Sequence, residues 1–250
     1  MHQSFTERVI KNFICLIFVF IASVTHANTD GVNGISFYLT RLIITEKDTE
    51  GIFFSAHNNN PFPVLIQAWS SHLDTQTGMV SDLPSKEKIP FIALPPLQRV
   101  EPGENFTLQL RLNGNPVSSL KESVYLLSFK AIPVSGPRDA NQLLMTVVTN
   151  LKVFVRNNIP NSDGFNSAVN KISASWSSEG IIINNTSPYW LTFSSMKLDD
   201  KELDKKLLLK MAAPMQSTLF KMDEGKPHDL IIKLIDDYGM ETSPISIKVE

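Results

Sequence analysis

The segment Phe106-Thr107-Leu108-Gln109-Leu110-Arg111-Leu112 alternates apolar and polar residues without a break. Successive side chains of a strand point to opposite faces, so this spacing predicts a half-buried β-strand with Phe106, Leu108, Leu110 and Leu112 on its inner side. Short apolar runs recur at 36–44, 64–70, 124–132, 143–155, 171–176, 180–184, 190–194, 230–235 and 245–249. Turn chemistry separates them, as at Asn58-Asn59-Asn60-Pro61, Pro95-Pro96, Glu101-Pro102-Gly103-Glu104 and Asn113-Gly114-Asn115-Pro116. Many short strands at this spacing predict β-sandwiches rather than alternating βα units. Residues 203–211 could form a helix, although their KKLLLK pattern fits a charge-flanked strand equally well; residues 197–206 read as a solvated turn. The polar stretch 157–164 carries Pro160 and Gly164 and reads as a linker between a domain at 28–156 and another at 165–250.

The amino terminus follows a different logic. The uncharged apolar run Phe13 to Val24 is preceded by Arg8 and Lys11 and followed by Thr25-His26-Ala27. That order is the one a secretory signal peptide uses, so residues 1–27 are expected to be removed after Ala27. The run is short of the about 20 apolar residues of a membrane span, which argues against membrane insertion; a retained amphipathic anchor is the other reading. Cys15, the only cysteine, would leave with the leader. An exported protein without disulfides suits a bacterial periplasm.

Composition narrows the classes. With 42% hydrophobic and 19% charged residues in a chain of 250, collagen, low-complexity disorder and a multi-spanning membrane protein are excluded. A formal net charge of −2 lacks the positive field that nucleic-acid binders use, so no nucleic-acid partner is expected. Catalytic chemistry is equally sparse. There is no GxSxG, phosphate loop, HExxH or dinucleotide fingerprint. His57, His72 and His228 are scattered, and Asp236-Asp237 would point to opposite faces if they lay on a strand. The reading is of a protein that is not an enzyme, with no metal or cofactor.

Several segments, read together, carry a family resemblance. Tyr38-Leu39-Thr40-Arg41-Leu42-Ile43-Ile44, Asn60-Pro61-Phe62-Pro63-Val64-Leu65-Ile66-Gln67-Ala68-Trp69 and Pro95-Pro96-Leu97-Gln98-Arg99-Val100-Glu101-Pro102-Gly103 come first. Residues 121–133 and 151–156 continue the series, followed by Asn185-Thr186-Ser187-Pro188-Tyr189-Trp190-Leu191-Thr192, Met211-Ala212-Ala213-Pro214 and Asp236-Asp237-Tyr238-Gly239. In this order they resemble the periplasmic pilus (fimbrial) chaperones of the chaperone–usher pathway. The resemblance implies an all-β fold of two immunoglobulin-like sandwiches set as an L or boomerang around an interdomain cleft. It also implies ATP-independent chaperoning of pilus subunits, which are passed to an outer-membrane usher. The short connection between Ile132 and Leu143 resembles the short-loop branch of the family, while Arg156-Asn157 departs from the Arg-Pro common in relatives.

Edge-strand physics supplies a mechanism. Residues 143–151 form a long, uncharged run that would leave backbone donors and acceptors open at a sheet edge, where proteins normally block further pairing. Alternation puts Leu143, Met145, Val147, Thr149 and Leu151 on one side, and the resemblance makes that side the donor face offered to an incomplete subunit. A central strand buried on both faces would carry the same pattern. The family role carried to Arg41 and Lys152 is anchoring the subunit's terminal carboxylate; internal ion pairs are the other reading of these two cations. Glu122, Arg156 and Asp237 match a family ion-pair cluster that sets the angle between domains, with Asp236 a rival for the acidic position. A free donor edge could also be hidden by self-association. A two-domain surface adhesin or glycan-binding module remains the alternative, with Trp69, Trp176 and Trp190 as its candidate sugar platforms.

Overall fold

The structure is a computed structural model that describes residues 33–83, 85, 87–114, 120–134, 146–156, 159, 164–199, 201–222 and 225–250. The expected leader, most of the linker, the 135–145 connection and the donor candidates Leu143 and Met145 lie outside these residues. Among the described residues no helix is long and apolar enough to cross a membrane.

Among the described residues, nine strands build the first half: β1 (Ile35–Ser36), β2 (Arg41–Thr45), β3 (Ile52–Asn58), β4 (Val64–His72), β5 (Phe91–Leu94), β6 (Leu97–Val100), β7 (Asn105–Leu112), β8 (Ser123–Pro133) and β9 (Val148–Arg156). They form one sheet of order β1-β3-β7-β5 and a second of order β2-β9-β8-β4-β6. All pairings are antiparallel except β2 with β9. The alternation that identified β7 works as expected: Phe106, Leu108 and Leu110 are buried against Ile66, Phe129 and Val153 in one core, and Leu112 packs at its margin.

Among the described residues, seven strands build the second half: β10 (Ile172–Ser177), β11 (Gly180–Asn185), β12 (Phe193–Leu198), β13 (Lys201–Glu202), β14 (Gln216–Lys221), β15 (Asp229–Leu234) and β16 (Ile245–Lys248). Their sheets, β10-β11-β14 and β13-β12-β15-β16, enclose a separate core that includes Ile181, Phe193, Phe220 and Ile232.

Three departures from the sequence reading have local causes. The run 36–44 is not one strand: after β1 the chain turns Phe37 inward, its ring 5.8 Å from that of Phe54 and 5.9 Å from that of Phe129, and re-enters in the opposite sheet as β2. The charged stretch 197–206 is not a plain solvated turn but the β12–β13 hairpin, held down by buried Leu198 and Leu203. Only Leu207–Leu209 of the ambiguous 203–211 run is helical, as a single 3-10 turn.

Candidate functional site

Strand β9 changes character along its length. From Lys152 to Arg156 it lies between β2 and β8, whereas from Val148 to Leu151 it pairs only with β8 among the described residues. Among the described residues it is therefore central at its end and unpaired on one side at its start. Along the core-facing side, Leu151 is buried, Thr149 is half-buried and Val147 is 73% exposed. Leu151 belongs to the first core and offers no surface to a partner, which removes it from the expected donor face. Beside Val147 and Thr149 the sandwich is open, with a cavity of about 330 Å³ lined also by Ile35, Phe62, Val64 and Phe129.

The opposite side of β9 carries Lys152, Phe154 and Arg156. Parallel pairing sets Arg41 directly beside Lys152. Arg41 stacks on the Phe154 ring at 5.2 Å and donates from Nη1 to the backbone oxygen of Ile235 at 2.9 Å, joining the first half to the second. Its Nε is buried with no hydrogen-bond partner. Burial lowers the Arg41 pKa to about 10, against the pull of Glu122, Asp237 and Asp236. Burial, and then the neighbouring Arg41, lowers Lys152 to about 8, and no carboxylate offsets either effect. An internal ion pair for these cations is thus absent among the described residues.

Four residues further along β9, the opposite arrangement holds. Arg156 donates from Nε to Glu122 Oε1 at 2.6 Å, and from Nη1 and Nη2 to Asp237 Oδ2 and Oδ1 at 2.7 and 2.6 Å. Its guanidinium also lies 4.7 Å from the centre of the Tyr189 ring. Glu122 is buried; it accepts the Trp190 backbone N–H at 2.7 Å, and its own carbonyl accepts the indole N–H at 2.9 Å. Burial pushes the Glu122 carboxyl up to about 7 against the attraction of Arg156. For Arg156, bonds to both carboxylates outweigh burial and tighten its hold on its proton.

Glu122, Arg156 and Asp237 are therefore brought together, and Asp236 is not part of the group. Asp236 and Asp237 do not lie on a strand either. They open a turn in which Asp236 Oδ1 accepts the backbone N–H groups of Tyr238 and Met240, at 2.9 and 2.8 Å. Gly239 has φ +81°, and a Cβ there would meet the Thr40 hydroxyl, so a glycine is needed where this turn presses on the residue before Arg41. Sequence reasoning missed the bridging role of Trp190 and the close approach of Gly239 to Thr40; the NTSPYW and DDYG segments were their only signal. Trp69 lies beneath Lys130, Trp176 packs on the second core, and Trp190 is bonded to Glu122, which leaves no shared aromatic platform. Among the described residues no group of three or more His, Cys, Asp or Glu side chains could hold a metal ion.

Among the described residues the fold is thus two β-sandwiches, with β9 unpaired on one side at its start and Arg41 and Lys152 side by side further along. Residues 34–159 match the pili and flagellar-assembly chaperone, PapD N-terminal domain, and residues 167–246 match the pili assembly chaperone PapD, C-terminal domain. The chain belongs to the pili assembly chaperone family, and its role is that of a fimbrial chaperone rather than an adhesin. The probable fimbrial chaperone SfmC of Escherichia coli is 28% identical, covering 93% of this chain and 95% of its own. The chaperone protein MrkB of Klebsiella pneumoniae is 27% identical, with 95% and 96% covered. The Salmonella enterica structure of SafA pilin in complex with the SafB chaperone contains a chain of the same fold, with a TM-score of 0.72, 20% identity, and 87% and 97% covered. The Pseudomonas aeruginosa CupB2 chaperone matches with a TM-score of 0.67, 23% identity, and 86% and 100% covered.

Proposed function

We propose that this protein works in the periplasm, after removal of residues 1–27, as a non-catalytic chaperone that binds fimbrial subunits by donor-strand complementation and hands them to an outer-membrane usher. The observation that carries this reading is the half-open β9 strand running directly into Arg41 and Lys152. A subunit strand would add to the free edge at Val148–Leu151 through backbone hydrogen bonds, a pairing that does not depend on its sequence. Val147, and by alternation Leu143 and Met145, would fill its groove, each contributing about 1.5–3 kcal/mol before association costs are subtracted. Thr149 would contribute at the margin of that face.

The subunit's terminal carboxylate would sit between Arg41 and Lys152. Both cations bear a burial cost that a carboxylate would offset, and the fixed Arg41–Lys152 pairing sets the register from which the donor residues are counted. Glu122, Arg156 and Asp237 would hold the second domain against this site. The domains are taken as 28–156 and 165–250, joined by the linker 157–164. Coexpression with a fimbrial subunit, followed by recovery from the periplasmic fraction, tests the reading. The mature protein should begin at Asn28 and retain the subunit, whereas Arg41→Ala and Lys152→Ala should remain folded and lose it. Normal subunit yield from both variants would refute the anchoring role.

A further inference from the structure

Beyond β4 the chain makes a short hairpin, residues 73–81, that takes no part in the β9 edge or its cations. Leu73 pairs with Val80, and the Ser81 N–H donates to the His72 carbonyl at 2.9 Å. At the tip the Asp74 carboxylate accepts the Gln76 N–H at 2.8 Å and the Thr77 hydroxyl at 3.0 Å, so the turn holds its own shape. That tip reaches the second sandwich. The Thr75 carbonyl accepts the Met211 N–H at 3.0 Å, and a Cβ on Gly78 would stand 3.1 Å from the Leu209 carbonyl oxygen. Gly78 also has φ +69°, so conformation and close approach both call for glycine there. Among the described residues Met211 is buried outside both cores, as a residue held between the two sandwiches would be.

These contacts close a ring. Glu122, just before β8, meets Trp190; the next residue, Leu191, exchanges two backbone hydrogen bonds with Ala212 at 3.0 Å. Met211, beside Ala212, meets Thr75, and the hairpin leads back through His72 to its strand partner Tyr125 on β8. A cavity of about 470 Å³ lies inside the ring, lined by Glu122, Tyr125, Trp190, His72 and Thr75. The ring crosses between the sandwiches twice, once at Trp190 and once at the hairpin tip. One crossing would leave rotation about a point; a second removes every rotation except that about the line joining the two. We propose that hairpin 73–81 is a strap whose tip pins the second sandwich at Leu209 and Met211 and, with the Glu122–Trp190 crossing, fixes the angle at which the sandwiches meet. The strap is a property of the free chain and holds whether or not a carboxylate binds at Arg41.

Two variants of the mature protein test this by NMR. The first replaces residues 74–79 with two glycines, a linkage that the Leu73–Val80 pairing can close as a tight turn. Residual dipolar couplings within each sandwich should match the parent, whereas the orientation of one sandwich relative to the other should change. The Trp190 indole N–H should exchange with solvent about fivefold faster, the scale of one lost hydrogen bond. An orientation or a Trp190 exchange rate equal to the parent's overturns the strap. The second variant, Gly78→Cys with Leu209→Cys, uses the 3.8 Å between the Gly78 Cβ position and the Leu209 Cβ, the spacing of a disulfide. Removal of Cys15 with the leader leaves this pair no competing thiol. The pair should oxidise in the folded protein and keep the parental orientation. No disulfide in the folded chain, or a rotation of the sandwiches on oxidation, overturns the strap. If the shortened loop disturbs the couplings within the first sandwich, the cysteine pair decides alone.

Discussion

Two charged groups lie on the same face of β9, and they are treated in opposite ways. At Arg156 every charge is used: one guanidinium meets Glu122 and Asp237 at 2.6–2.7 Å, and Glu122 is further tied to Trp190. At Arg41 and Lys152, four residues back along the same face, two cations sit side by side with no carboxylate bonded to either among the described residues, although Glu122, Asp237 and Asp236 act on Arg41 at longer range. Nearby acids exist, but Glu122, Asp236 and Asp237 are held elsewhere by Arg156, the Trp190 N–H or the 236–240 turn. A cluster that satisfies itself fixes geometry. A cation pair with no bonded carboxylate costs stability, which is the cost the proposed subunit carboxylate would offset.

The strongest way to break this contrast is Arg156→Ala. It leaves Glu122 buried beside an unpaired Asp237, and removing one partner of a buried ionic group costs about 3–5 kcal/mol. Urea unfolding should register that loss, and a change below about 1 kcal/mol would mean the cluster is not structural.

Lys152→Met should act in the opposite direction. The Lys152 pKa is lowered in the folded state, to about 8 from the usual 10.5. Charge on Lys152 therefore opposes folding in full below pH 8, and this opposition fades as the pH rises from 8 to 10.5. At pH 7 the variant should be more stable than the parent by about 1–3 kcal/mol, with the gap closing towards pH 10.5. Equal stabilities at pH 7 and pH 10 would show that the site carries no such cost.

The smallest effect is expected where the two groups meet the second domain. Gly239→Ala forces a left-handed residue to carry a Cβ against Thr40, costing about 1–2 kcal/mol. Adding Thr40→Ala should recover the steric share and leave the conformational one. If the double variant melted no higher than Gly239→Ala alone, contact with Thr40 would not be the cause.

Much of this was readable from local pattern. The alternation of β7 and the long apolar runs of β4 and β8 announced their strands, because burial on one or both faces leaves a periodic trace. Strands such as β3 and β14 escaped, since Ser55, His57, Gln216 and Ser217 dilute that trace on solvent-facing positions. The candidate site was legible as residues rather than as geometry. Arg41 looked anomalous in an apolar strand, yet its acceptor, Ile235 O, lies 194 residues away. Leu151 fits the donor alternation perfectly, and only its position beneath the opposing sheet assigns it to the core. The choice of Asp237 over Asp236 depended on a turn that two adjacent aspartates do not specify.

The parallel pairing of β2 with β9 also bears on timing. Lys152 stands near the end of the first domain and Ile235 close to the end of the second, so Arg41, an early residue, waits for both. Contacts of such high sequence separation carry a large loop-closure cost. Under the proposed anchoring role, the site is complete only once residues from both sandwiches are in place.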